Sequence, residues 1–308
     1  MEATVKQSDS TNQPYTRKDL HQQITDTIIG QLEKGTIPWQ QTWKNKGGQI
    51  GMPKNAVTGN KYRGINIVLL WSAAQEKNYP TQEWASFKQW KSKNEGIRKG
   101  EKGTYIVYAD TFEKEVEGEL KKIPFLKSSF VFNRSQLVSY NSDEVIDQPI
   151  EPASEMERNA IVDEFVANTF AKIEHRNGGA SYVPSLDQIN MPFAANFIDT
   201  ENCSASENYY STLLHELTHW TGHTTRLNRL EKTEYGKDKY AQEELIAELG
   251  AAFLNTEFGI TTPEKENHAG YIAGWLNVLK NDKHFIISAA SEASKAVEYM
   301  TEMQPLKL

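Results

Sequence analysis

Cysteine, long apolar runs and an export signal are scarce or missing in this sequence. Its 308 residues include one cysteine, Cys203, so an internal disulfide is impossible and a reducing cytosol is the fitting compartment. One cysteine is also compatible with an exported protein that has no disulfide. However, the polar first ten residues lack the apolar core of a signal peptide. No apolar run approaches membrane-spanning length. We therefore expect a soluble cytoplasmic protein with a loose amino-terminal tail up to about Tyr15.

Basic and acidic residues are unevenly divided along the chain, whose net charge is −7. Residues 1–150 hold 21 Lys and Arg against 17 Asp and Glu, whereas residues 151–308 hold 13 against 24. The window 34–102 is the most basic, with 13 Lys and Arg against 4 acids. The length allows two ordinary domains, and the charge split predicts that they have different partners. The basic half suits a polyanion.

The first half mixes helical and extended patterns. Apolar residues recur every four positions over 16–34 and predict a helix that Gly35 ends. The buried segment 65–71 is either a strand or a helix, because periodicity alone does not distinguish them. We further predict an ordered loop over 36–61, a helix over 81–93, a turn over 96–103 and strands over 104–108 and 129–132.

Residues 141–157 contain proline and acidic clusters with almost no apolar pattern, and are predicted to link domains at 15–140 and 158–308. A helix from about Ser154 to Ile173 would turn Ile161, Phe165 and Phe170 to a core. We also predict extended segments over 181–183 and 187–192, a helix capped by Ser206 and ended by Gly222, and helices over 240–258, 268–281 and 283–301.

The most specific motif is His215-Glu216-Leu217-Thr218-His219. Two histidines four positions apart lie on one helical face, so both imidazoles can bind one ion. Neutral imidazole suits Zn²⁺, although Mn²⁺ is compatible with the ligand types. Glu216, at the edge of this face, can take a proton from a water whose pKa the metal lowers. The motif predicts a hydrolytic metal site, with a purely structural metal as the alternative.

A third protein ligand is expected from the acidic segment 243–248. Glu244 is the predicted ligand, and Glu248, one turn on, would accept a hydrogen bond from a ligand imidazole. His223 is a further candidate, although Gly222 is predicted to break the helix before it. His268 and Tyr271 are candidate hydrogen-bond donors to a reaction oxyanion. The segment 181–192 is either an ordinary sheet edge or an edge strand that pairs with a substrate backbone.

Five of the seven tryptophans fall between residues 39 and 90, inside the basic window. Cations that follow phosphates and flat rings that stack on bases are what binding of single-stranded nucleic acid requires. No helix-turn-helix pattern favours duplex DNA. An acidic protein is the alternative partner. The candidate DNA-binding residues are Trp39, Trp43, Lys54, Lys61, Tyr62, Arg63, Lys88, Arg98, Lys99 and Lys102.

Several segments together resemble the ArdC-type antirestriction proteins of conjugative plasmids, whose amino-terminal region also occurs in plasmid-borne primases. The resemblance runs from about Thr16 to the carboxy-terminal half. In the first half it includes Pro38-Trp39, Thr58-Gly59 and Tyr62-Arg63-Gly64-Ile65-Asn66. In the second half it includes the segment His215 to His223, Arg226-Leu227 and Glu243 to Leu249.

This resemblance implies an α+β protein: a mixed α/β domain that binds single-stranded DNA, then a mostly helical zincin-like metallopeptidase domain with a small edge sheet. It implies protection of incoming plasmid DNA from restriction, with an unidentified protein as substrate or partner. The similarity of Glu244-Leu-Ile-Ala-Glu248 to the ligand helix of other zincins favours Glu244 as the ligand. The alternative is a DNA-binding protein whose metal domain is a non-catalytic scaffold or interaction module.

Overall fold

A computed structural model describes residues 19–40, 51–116, 119–141, 155–230, 237–263 and 268–305. The first half contains α1 (Leu20–Leu32), β1 (Lys54–Asn55), α2 (Ile65–Glu76), β2 (Glu83–Ser86), α3 (Phe87–Ser92), β3 (Thr104–Val116) and β4 (Glu119–Asn133). The second contains α4 (Glu155–Ala167), β5 (Lys172–His175), β6 (Ser181–Val183), β7 (Gln188–Met191), α5 (Ala205–Thr221), α6 (Lys237–Phe258), α7 (His268–Asn281) and α8 (Phe285–Glu302). The expected tail and residues 142–154 of the expected linker lie outside the described residues.

The first half is built on a four-stranded sheet in the order β1-β2-β4-β3. Strands β3 and β4 form an antiparallel hairpin that is longer than the two short strands predicted, while β1 runs parallel to β2. Residues 65–71 are helical. They form the first part of α2, a longer helix in which nearly every side chain is buried. The mixed α/β expectation for this half is confirmed.

The predicted helix over 81–93 is wrong in its first part. Residues Glu83–Ser86 form β2, which lies between β1 and β4, and only Phe87–Ser92 are helical. Trp84 and Ala85 are both buried, so this central strand has no polar face for a period-two pattern to reveal. Ser86 then starts α3 with a capping box that includes Gln89.

The second half combines five helices with a three-stranded sheet in the order β5-β7-β6, within the residues described. Helix α4 ends at Ala167, six residues before the predicted Ile173, and β5 begins soon after. The prediction that Ile161 and Phe170 face a core is wrong: Phe170 has a positive φ of 56° and is 87% exposed. The buried face of α4 instead includes Val162, Phe165 and Val166.

The two halves share one hydrophobic core. Helix α1 and helix α2 contribute Ile24, Ile28 and Ile67 to the same buried cluster that contains Phe253 and Leu279 of the second half. Across this junction the ring of Trp71 meets Phe253 edge-on, with centroids 5.7 Å apart. The amide of Gly64 also donates to Oγ of Ser294 at 2.7 Å. The halves therefore stabilise each other, and the boundaries at 15–140 and 158–308 stay a prediction.

None of the described helices combines the length and the apolar character that crossing a membrane requires.

Candidate metal centre

Helix α5 places the two motif histidines side by side. Ser204, rather than the predicted Ser206, caps the helix: its hydroxyl accepts from the amide of Glu207, whose carboxylate accepts from the amide of Ser204. One helical turn separates His215 from His219, and their Nε2 atoms lie 3.2 Å apart. At this distance the two nitrogen lone pairs repel unless a proton or another cation lies between them.

Helix α6 supplies a carboxylate to the same point. Oxygens of Glu244 lie 3.7 Å from Nε2 of His215 and 3.6 Å from Nε2 of His219. One donor atom from each residue lies within 4.8 Å of the others. Two donors about 2.0–2.1 Å from one tetrahedral ion would lie roughly 3.3–3.4 Å apart, so the three residues fit a divalent cation without backbone movement.

A glycine permits the close approach of the two helices. A Cβ on Gly250 of α6 would lie 2.5 Å from Cγ2 of Thr218 on α5, which is closer than atoms can pack. Thr218 is fully buried and lies next to His219 in the chain. The absence of a side chain at Gly250 therefore permits the close packing of α6, which carries Glu244, against α5, which carries the histidines.

Negative charge surrounds the histidine pair. Burial lowers the pKa of His215, but its hydrogen bond to Glu244 and the charges of Glu248 and Glu216 together raise it above its ordinary value. Burial raises the pKa of Glu244, yet the contacts with His215 and His219 outweigh this and lower it. The surroundings thus favour positive charge at the point where the three side chains meet.

Glu243 orients His219 from behind. Its Oε1 accepts from Nδ1 of His219 at 3.2 Å, and Arg229 donates to both carboxylate oxygens at 3.0 and 3.1 Å. Burial would raise the pKa of Glu243, but the bonds from His219 and Arg229 hold it below its ordinary value. An ionised Glu243 keeps the proton of His219 on Nδ1 and leaves Nε2 free to bind metal.

The other predicted site residues differ in how they relate to the metal centre. Glu248 adds charge near His215, and its expected hydrogen bond from a ligand imidazole stays a prediction, while Nδ1 of His219 contacts Glu243. His223 follows the end of α5, and its Nδ1 is bonded to the hydroxyl of Thr225 at 2.8 Å. Tyr271 packs against the shared core and is not among the residues that line the cleft, so its role as an oxyanion donor stays a prediction. The side chain of His268 lies outside the described residues.

The metal centre opens into a cleft of about 740 Å³. Glu216 lines it and is almost fully buried. One wall is formed by Ser181 and Tyr182 of β6, an edge strand of the small sheet. This is the position in which a substrate backbone could pair with the strand. The cleft therefore has a volume within the range of ligand-binding pockets in proteins.

Sequence reasoning missed Tyr240, Glu243 and Arg229. Tyr240 lies one helical turn before Glu244, and the charge of Glu244 raises the pKa of its hydroxyl, so the group stays a hydrogen-bond donor. Its position four residues before a predicted ligand was a usable signal. Arg229 lies in a loop, and no pattern in the sequence indicated its role. All three residues line the cleft.

The predicted DNA-binding residues fall into three groups. Trp39 was assigned wrongly, since it is 2% exposed and belongs to the shared core, and Tyr62 is half-buried against two core clusters. Trp43 lies outside the described residues.

The remaining candidates are exposed, and they differ in whether an acidic side chain already pairs with them. Lys54, Lys61, Arg63 and Arg98 pair with Glu83, Glu257, Glu298 and Glu101, whereas Lys88, Lys99 and Lys102 make no ion pair within the described residues.

Comparisons with known families match both halves. Residues 18–132 match the model of the N-terminal domain of anti-restriction factor ArdC, and residues 160–292 match a zincin-like metallopeptidase model. An uncharacterised protein, y4eC of Sinorhizobium fredii, is 32% identical over 94% of both chains. DNA primase TraC of Escherichia coli is 30% identical over 92% of this chain, which spans only 20% of the primase.

A solved structure agrees over nearly the whole chain. The metal-free crystal structure of antirestriction ArdC from plasmid R388 superposes with a TM-score of 0.76 at 39% identity, covering 92% of this chain and 97% of the other. Its Mn(II)-bound form superposes with a TM-score of 0.75 at 37% identity, covering 94% and 100%. The likeness includes both halves in the same order and confirms the α+β expectation.

Proposed function

Because the chain belongs to the family of ArdC antirestriction proteins, we propose that it protects incoming plasmid DNA from restriction. Its basic first half binds the DNA as a single strand. Its second half is a metal-dependent peptidase acting on a protein near that DNA. The single observation that carries the peptidase proposal is the convergence of His215, His219 and Glu244 beside Glu216 in an open cleft.

His215, His219 and Glu244 would hold the metal. Zn²⁺ is the ion that two imidazoles and one carboxylate favour, and the Mn(II)-bound R388 protein supports Mn²⁺ as a second candidate. When bound, the metal supplies Lewis acidity and lowers the pKa of a water molecule. Metal analysis of the purified chain, with His219→Ala as the control, identifies the ion; an equal content in both proteins would contradict this ligand set.

The chain's own groups divide the remaining work. Glu216 takes a proton from the attacking water and can return it to the leaving amine. The hydroxyl of Tyr240 donates to the oxygen that gains charge as the carbonyl is attacked. The free edge of β6 aligns the peptide backbone along the cleft. Glu243 and Arg229 keep His219 in the metal-binding tautomer.

Replacement of Glu216 by Gln tests whether hydrolysis is part of the function. The variant should keep its metal and fold but lose hydrolysis of a generic unfolded substrate such as casein. Glu292→Gln is the matched control, because Glu292 lines the same cleft from α8 and pairs with Lys295. Full restriction protection by Glu216→Gln in a conjugation assay would show that peptidase chemistry is dispensable for that task, leaving the metal domain as a scaffold.

Titration with a fluorescent single-stranded oligonucleotide tests the first half. Each phosphate contact should contribute about −0.7 to the slope of log K against log salt. Weak binding without salt dependence would contradict DNA binding by this chain.

A further inference from the structure

Two phenylalanines of the first half are exposed at neighbouring positions. Phe87 is 54% exposed and Phe130 is 58% exposed, although phenylalanine is among the side chains most often buried. The ladder between β2 and β4 ends with Ser86 paired to Val131, and Phe87 and Phe130 are the chain neighbours of these two paired residues. Their exposure therefore concerns one place on the surface rather than two scattered residues.

Specific contacts fix the backbone next to both rings. Phe87 is the first residue of α3, and Trp90 of this helix donates from Nε1 to the carbonyl of Phe132 at 2.9 Å. Beside Phe130, a Cβ on Gly103 would lie 3.1 Å from Cβ of Phe130 and 3.1 Å from Cζ of Phe132. The backbone of the basic turn thus lies directly against the base of the Phe130 side chain.

Lysines without acidic partners border this place. Lys88 and Lys91 follow Phe87 on α3, three residues apart and therefore on one face. Lys102 precedes Gly103, and Lys99 lies in the same turn. All four are exposed, and none makes an ion pair within the described part of the chain. Their charge remains available to a polyanion.

The other cations expected to bind DNA lie in a different setting. Lys61 pairs with Glu257, and Arg63 donates to Glu298 at 2.8 Å, so acids of the second half neutralise this segment. A polyanion would have to displace these carboxylates before it could bind there. Charge complementarity therefore favours the surface around Phe87 and Phe130 over the segment 61–63.

We propose that Phe87 and Phe130 form a platform on which bases of single-stranded DNA stack, while Lys88, Lys91, Lys99 and Lys102 contact the phosphates on either side. The proposal rests on the proposed function, since it names the surface that performs its DNA-binding part. Flat rings recognise every base through its π-face, and the lysines recognise a backbone without reading sequence. The platform would therefore bind single strands with little sequence preference.

The experiment measures binding of a labelled 20-nucleotide oligothymidine to the full chain at several salt concentrations. Loss of each ring, in Phe87→Ala and Phe130→Ala, should weaken binding about 5- to 150-fold. Leu at both positions should weaken binding similarly, because it keeps apolar area but cannot stack, and Trp at both should restore it. The double variant Lys88→Gln and Lys102→Gln should make the salt slope shallower by about 1.4.

The matched control is Phe170→Ala with Lys172→Gln, an exposed ring and a neighbouring exposed lysine in the second half, which should bind like the parent. Equal losses in this control, or ring variants that bind within twofold of the parent, would overturn the platform while leaving DNA binding intact. A parent chain that does not bind the oligonucleotide would overturn the proposed function itself. Equally tight binding of polyglutamate that survives removal of both rings would overturn the platform in favour of an acidic protein partner.

Discussion

Nδ1 of His219 lies 3.2 Å from Oε1 of Glu243, on the side of the ring away from the Nε2 that faces His215. Glu243 therefore holds the imidazole at Nδ1, while Nε2 faces the metal site. Arg229 holds Glu243 in turn and also donates to the carbonyl of Thr218 at 2.8 Å. This chain of contacts links a loop, α5 and α6, and makes the position of a metal-binding nitrogen depend on three segments.

Replacing Glu243 by Gln should weaken metal binding about 10- to 100-fold, the usual cost of losing such an orienting carboxylate. The amide keeps the shape of the side chain but loses the charge that pairs with His219 and Arg229. Competition with a chromophoric chelator measures the affinity. Glu257→Gln, on the same helix but paired with Lys61, is the control and should bind metal normally. An unchanged affinity in Glu243→Gln would contradict the orienting role.

Tyr240→Phe should lower the turnover of a peptide substrate about 10²- to 10³-fold while KM and metal content change little. The reason is that, in the proposed mechanism, the lost hydroxyl donates to the oxygen that gains charge during the reaction. Steady-state kinetics separates the two parameters. Tyr271→Phe is the informative comparison: this tyrosine packs against the shared core and is not among the residues that line the cleft, so the variant should turn over like the parent. The reverse pattern would reassign the donor.

Ile28→Ala should destabilise both halves together. Ile28 is fully buried in the shared core, so its truncation should lower the free energy of unfolding by about 2–5 kcal/mol. Urea unfolding followed by tryptophan fluorescence and by loss of hydrolytic activity should give coincident transitions. Ile161→Ala, at an exposed position, should change stability by no more than about 0.5 kcal/mol. Separate transitions, with the second half unaffected, would show that the halves unfold independently.

Asp187 should make the wall of the cleft sensitive to acid. It accepts from Nη1 of Arg226 at 2.9 Å and from the hydroxyl of Tyr182 at 2.8 Å, and the bond from Arg226 holds its pKa below the ordinary value. A carboxylate with a lowered pKa stabilises the fold above its unfolded pKa of about 3.9, and this contribution is lost as pH falls through the folded value. Because the side chain is more than a third exposed, we expect no more than about 1 kcal/mol.

Thermal unfolding of the parent and of Asp187→Asn between pH 3 and pH 6 checks this expectation. The difference in Tm should be present at pH 6 and should shrink below about pH 4. A difference that stays constant over this range would show that the stabilisation does not depend on the charge of Asp187.

The sequence alone determined the core of the metal site. His215, Glu216 and His219 belong to one helix, and helical geometry converts their spacing into positions without reference to any other segment. Glu244 was predicted from the same kind of local spacing on α6. The long hairpin, by contrast, was predicted only at its two apolar ends, and Glu83–Ser86 was assigned to a helix because both faces of this central strand are buried.

Only the tertiary structure decided which neighbours complete the site and which aromatic residues face solvent. The contact of Gly250 with Thr218 lets α6 approach α5 closely, and Glu243 of α6 reaches the ring of His219. The shared core buries Trp39, while Phe87 and Phe130 stay exposed. Burial depends on what packs against a residue from distant parts of the chain, and neither residue type nor local spacing carries that information.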